Sequence, residues 1–152
     1  MNIVLDANIM AAIILPLPYS QASEMRIGTW KLEGKTLSAP VLWEYELITV
    51  LRRATIQGLL NQKQVKQIFQ KVNTVNIESV WPTEALHQRA LIWADRLGQS
   101  RAYDAQYLAL AEQSGAELWT GDLRLANAAA GLQLSCVHWI GEEQGWFTTP
   151  AG

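Results

Sequence analysis

The feature that most limits how this chain can fold is an alternation of two kinds of hydrophobic segment. Short apolar runs at residues 2–5, 36–39, 75–80, 116–120 and 132–140 read as strands, and the first is apolar on both sides, as a buried parallel strand is. Between them lie stretches with apolar residues at helical spacing. These predict helices at 20–32, 40–57, 61–72, 83–97, 102–114 and 123–130, with a further short helix after residue 6. Local signals mark the ends. Asn61 with Gln64 three residues on is a capping-box pattern, Ser20 and Thr83 are N-cap candidates, and Pro40 suits a first helical position. Gly34, Gly58, Gly98 and Gly115 stand where helices should stop. Strands and helices in this order predict an α/β fold whose parallel sheet is covered on both faces. Such sheets bind ligands at the carboxyl ends of their strands.

Acidic residues fall on that rim. Asp6 follows the first strand directly, Asp104 sits in the first turn of a helix, and Asp122 follows Thr120-Gly121 at the end of a strand. The helix 40–57 adds Glu44 and Glu46. Carboxylates gathered at strand ends repel one another unless a positive charge lies between them. A hard divalent cation suits the place, because it takes oxygen ligands and keeps much of its water. Such an ion lowers the pKa of bound water and stabilises charge during in-line displacement at phosphorus, so phosphodiester hydrolysis is the reaction class. Each acid also has a structural use: Asp6 as a turn residue, Asp104 at a helix dipole, Asp122 as an N-cap. Glu44 shares a stripe with Leu47, Ile48 and Leu51, and Glu46 with Thr49, Val50 and Arg53. Periodicity leaves both open.

With 152 residues, 49% of them hydrophobic, the chain is expected to form one domain over 1–152, with its core in about 1–140 and a tail at 141–152. The apolar N-terminal segment contains Asp6 and meets Pro16 and Pro18 before reaching membrane-spanning length. No membrane association is expected. The single cysteine, Cys136, excludes an internal disulfide framework and fits a reducing cytoplasm. It reads as a core residue. The net charge of −2 argues weakly against a nucleic-acid partner, but removing the four rim acids from the 14 leaves 10 against 12 Lys and Arg. The remaining surface is then mildly basic. Its densest basic stretch is Arg52, Arg53, Lys63 and Lys66, which by default is a solvated helix face. His87 and His138 lack the spacing of a zinc site. Seven tryptophans, Trp146 among them, exceed what so small a core holds, so some are expected at interfaces.

Three segments carry a further signal: IVLDANIM at 3–10, APVLWEYELITVLRRA at 39–54 and RAYDAQYLALAEQSGAELWTGDLRLANAA at 101–129. Together and in this order they resemble the PIN domain family, and within it the VapC-like ribonuclease toxins of type II toxin–antitoxin systems. The resemblance implies a three-layer α/β/α sandwich with a central, mostly parallel sheet of about five strands. It implies a metal-dependent endoribonuclease with Mg²⁺ or Mn²⁺ held by Asp6, Glu46, Asp104 and Asp122, and a homodimer that binds an antitoxin. Glu46 is selected over Glu44 because Tyr45 to Leu51 matches a Y-E-x-x-N-x-L pattern, with Thr49 where Asn is frequent. Asn8 and Thr120 are expected to orient the ligands. Arg101 and Arg124, close in sequence to Asp104 and Asp122, are candidate contacts for RNA phosphates, with solvated surface arginines as the alternative. The antitoxin's groove is expected along residues 9–15 and 19–30. Two alternatives stand beside this reading: a non-catalytic PIN-like module that binds RNA or protein, and a PIN nuclease that processes RNA without being a toxin.

Overall fold

The apolar triplet Ile3–Leu5 forms strand β1, wholly buried, and every other strand is arranged around it. In the computed structural model, which describes residues 2–142, β1 is followed by α1 (Ala7–Ile14), α2 (Ser20–Leu32), β2 (Leu37–Pro40), α3 (Leu42–Ile56), α4 (Gln62–Val75) and β3 (Glu78–Val80). Then come α5 (Glu84–Arg96), α6 (Tyr103–Ser114), β4 (Glu117–Thr120), α7 (Leu123–Gly131) and β5 (Val137–Trp139). All five strands are parallel, in the order β3-β2-β1-β4-β5. The order runs outward in one direction from β1 and in the other from β4. The crevice between their carboxyl ends is therefore the switch point at which such sheets bind ligands.

The helices cover the sheet as the patterning requires. α6 lies across β1, β2 and β4 with α5 packed on it, while α1 packs on α2, α3 and α4. Ala105, Leu108, Ala109 and Ala111 of α6 are almost fully buried, and small side chains here let α6 lie close to the strands. Trp30 and Trp119 pack edge to face at 5.2 Å, and His138 stacks on Trp119 at 4.7 Å. Trp30, Trp43, Trp93 and Trp119 are core, Trp81 is exposed, and Trp146 and most of the expected tail lie outside the described residues.

Several expected boundaries move for identifiable reasons. Pro40 ends β2 and does not start a helix: pairing to β1 stops at Ser38, so the missing N–H is not needed. α4 runs on to Val75 and takes the start of the expected third strand, until Asn76 turns into the left-handed region at φ 59°. The last strand is only Val137–Trp139, because Gln133 adopts φ 57° and breaks the run. Ser20 is not an N-cap but the first helical residue; its hydroxyl donates to Leu15 O at 2.7 Å and accepts from Leu17 N at 2.8 Å. Residues Ile9 to Ile13 of α1 are core, and of the stretch 9–15 Ala11 and Leu15 line an open groove. Cys136 is only half-buried. The capping box at Asn61 and Gln64 is present as expected, as is the Thr83 cap.

Candidate active site

The four acids arrive from four different elements. Asp6 ends β1, Glu46 stands on the first turns of α3, Asp104 opens α6, and Asp122 caps α7 with its carboxylate accepting from Arg124 N at 2.9 Å. All four line one groove of about 650 Å³, whose floor includes Ala7 and Ala11 of α1. Glu46, Asp104 and Asp122 also line an adjoining groove of about 610 Å³ with Arg101 and Arg124. Glu44 lies outside both, exposed, and accepts from Ser79 Oγ at 2.6 Å.

Asp6 is the most constrained. It is 4% exposed, and its Oδ2 accepts from Thr120 Oγ1 at 2.8 Å and from Asn8 Nδ2 at 3.2 Å. Thr120 and Asn8 also hold the neighbouring turn, since Asp122 N donates to Thr120 Oγ1 at 3.0 Å and Gly121 N donates to Asn8 Oδ1 at 2.7 Å. One network thus joins the ends of β1 and β4. Burial pushes the Asp6 carboxyl up to about 7, with the Glu46 and Asp104 charges adding to it and the Thr120 bond opposing it. Burial also raises Glu46 and Asp104. The Asp104 charge adds to the rise at Glu46, and the Asp122 charge to that at Asp104.

Two partners of these acids were not singled out in the sequence. Tyr107, one turn after Asp104 on α6, donates its hydroxyl to Glu46 Oε1 at 2.9 Å. Its phenol is pushed far up by burial and by the charges of Asp6 and Glu46, so it stays a donor. Gln99, before α6, donates to Asp104 Oδ2 at 2.9 Å. The i, i+3 spacing of Asp104 and Tyr107 is a signal that could have marked the tyrosine, whereas nothing in the sequence marks Gln99. Tyr19 also faces the groove and is raised by burial and by Asp6 and Asp122. Thr49, where Asn was expected, donates back to Tyr45 O at 3.1 Å.

The donor set fits a hard cation. Neither groove is lined by a His or Cys, and the four carboxylates supply only oxygen. Among the described residues no three His, Cys, Asp or Glu side chains converge closely enough to hold a metal ion as they stand.

An α/β sheet with acids gathered at its switch point places the chain in a class, and comparison with known proteins narrows it. The PIN domain family matches residues 3–131, and the chain belongs to that family. It is similar to ribonuclease VapC12 of Mycobacterium tuberculosis, 29% identical over 126 residues covering 83% of this chain and 91% of that protein. Ribonuclease VapC3 of Pyrobaculum aerophilum is 27% identical over 135 residues, covering 84% and 94%. Two solved structures share the fold. A toxin–antitoxin complex from Klebsiella pneumoniae matches with TM-score 0.63 at 14% identity, over 91% of this chain and 98% of that one. PAE2754 from Pyrobaculum aerophilum matches with TM-score 0.68 at 18% identity, over 99% and 91%.

Proposed function

We propose that the chain is a Mg²⁺- or Mn²⁺-dependent endoribonuclease and the toxin of a toxin–antitoxin pair. The observation that carries this reading is the meeting of Asp6, Glu46, Asp104 and Asp122 in one groove that continues past Arg101 and Arg124. The ribonuclease activity is taken from the likeness to the VapC ribonucleases, the antitoxin partner from the toxin–antitoxin complex that shares the fold, and the homodimer from the sequence resemblance alone. Among the described residues no helix is long and apolar enough to cross a membrane, which agrees with work on RNA in the cytoplasm.

The residues divide the work. Asp6, Glu46, Asp104 and Asp122 would hold the metal, and the bound ion would acidify an attacking water and stabilise charge on the phosphoryl oxygens. Thr120 and Asn8 fix one oxygen of Asp6, Tyr107 fixes one of Glu46, and Gln99 fixes one of Asp104, which orients the carboxylates. Arg101 and Arg124 offer guanidinium groups to phosphates that lie beside the acids.

The test is cleavage of end-labelled RNA with Mn²⁺ by the purified chain. Asp104→Asn and Glu46→Gln should each lower the rate on the order of a hundredfold or more, while Glu44→Gln should leave it within about twofold. Equal losses from Glu44→Gln and Glu46→Gln, or cleavage indifferent to Asp104→Asn, would overturn the assignment.

A further inference from the structure

The proposed function leaves one cation in the acid groove unused. Arg53 lies on the same stripe of α3 as Glu46, seven residues on, and it lines the groove that holds all four acids. Gln57, one turn further, lines it as well. Among the described residues Arg53 makes no ion pair, although the groove it lines is otherwise acidic. Seven helical residues separate it from Glu46 by roughly 10 Å along the axis, so it stands to one side of the acids. Val50, Ala54 and Leu59 line the same stretch of groove, and Arg53 and Gln57 are both exposed there, open to a strand that enters it.

We propose that Arg53 and Gln57 form a second phosphodiester subsite, which grips a flanking phosphate of a single-stranded RNA whose scissile phosphate lies at the acids. This rests on the endoribonuclease reading. The strand then runs from Arg101 and Arg124 at one end of the joined grooves, over the acids, to Arg53 and Gln57 at the other. A planar guanidinium pairs two of its N–H groups with two phosphate oxygens, and the Gln57 amide adds a donor one turn on. The subsite positions the strand and takes no part in the chemistry, so its contribution is to binding.

Steady-state cleavage of a short labelled RNA with Mn²⁺, repeated across salt concentrations, tests this. Arg53→Gln should raise KM on the order of tenfold at low salt with kcat within about twofold, as expected for the loss of one charge-assisted contact. The slope of log KM against log salt should fall by about 0.7, the share of one neutralised phosphate on a single strand. Arg53→Lys should restore the salt slope and only part of the affinity, and Arg52→Gln, outside both grooves, should change neither. An unchanged slope in Arg53→Gln, or a fall in kcat at constant KM, overturns the subsite while leaving the nuclease intact. If the wild-type chain cleaves no RNA with either metal, the nuclease reading falls, and the subsite with it.

Discussion

The two ends of the acid row differ in how far the fold has fixed them. At one end Asp6 is 4% exposed and held by Thr120 and Asn8, with β1 and β4 behind it. At the other end the Asp122 side chain is 26% exposed, its carboxylate caps α7, and its one cation, Arg124, stands 3.7 Å away with a side chain 94% exposed. The Asp6 end is organised before any ligand arrives and costs free energy in its absence. The Asp122 end is cheap, solvated and adjustable. A metal site built this way has a rigid anchor, and a rim that can follow the substrate.

The largest expected effect separates these ends directly. Asp6→Asn should lower RNA cleavage on the order of a thousandfold, and Asp122→Asn by roughly a tenth of that loss. Stability should move the opposite way. In metal-free protein at pH 8, Asp6→Asn should melt higher than wild type, because a buried ionised carboxylate is replaced by a neutral amide. A lower melting temperature at pH 8 would mean that Asp6 contributes more as a hydrogen-bond acceptor than it costs as a charge.

The pH dependence of stability follows with a definite sign. Burial raises the folded carboxyl of Asp6 to about 7 from 3.8, so between about pH 4 and 7 the folded state binds the proton more tightly than the unfolded chain. The stability linked to that proton is complete below the unfolded value and is lost as pH rises through the folded one, up to roughly 4 kcal/mol in all. Glu46 and Asp104 are raised as well and act in the same direction. Metal-free protein should therefore melt lower at pH 8 than at pH 5. Mn²⁺ should raise the melting temperature more at pH 8, where the carboxylates are ionised. Scanning calorimetry at both pH values, with and without metal, checks both statements, and equal metal stabilisation at the two pH values would contradict them.

Thr120 is what joins the rigid end to the rim. It is fully buried, donates to Asp6 and accepts from the N–H of Asp122. Thr120→Val keeps the shape and removes both bonds, so Mn²⁺ affinity should fall about 10- to 100-fold. The Asp6 carboxyl should also rise further, because the bond that opposes its rise is gone. The acid limb of the pH–rate profile should then shift to higher pH, a change that loss of packing alone would not produce.

The sequence resolved these regions unequally, and the reason is physical. Strand-end placement singled out Asp6, Asp104 and Asp122, which the fold brings to one groove, because an acid directly after a buried strand or at a helix start has few places to point. It could not choose between Glu44 and Glu46, since α3 is amphipathic enough to accommodate either; in the fold Glu46 lines the groove and accepts from Tyr107, while Glu44 lies outside it. The fold class and the five-strand parallel sheet were legible from the alternation of periods. The strand ends were not, because Asn76 and Gln133 in the left-handed region interrupt runs that are apolar enough to continue. Arg53 was visible as part of a basic stretch and on the stripe of Glu46, but its separation from Arg52 depends on which side of α3 meets the groove.

The smallest expected effect lies at the rim. Arg124 touches Asp122 only loosely, and a pair this exposed is screened by water and salt. Arg124→Gln should leave the melting temperature unchanged. Its guanidinium lines the groove beside Asp104 and Asp122 and lowers the Asp104 carboxyl, opposing the rise caused by burial. Removing it should therefore raise KM for RNA about two- to fivefold at low salt and have little effect at high salt, where the Debye length is shorter than the groove. A loss that persisted at high salt would show that Arg124 is held in a fixed contact with the substrate, and that the rim is as organised as the end anchored by Asp6.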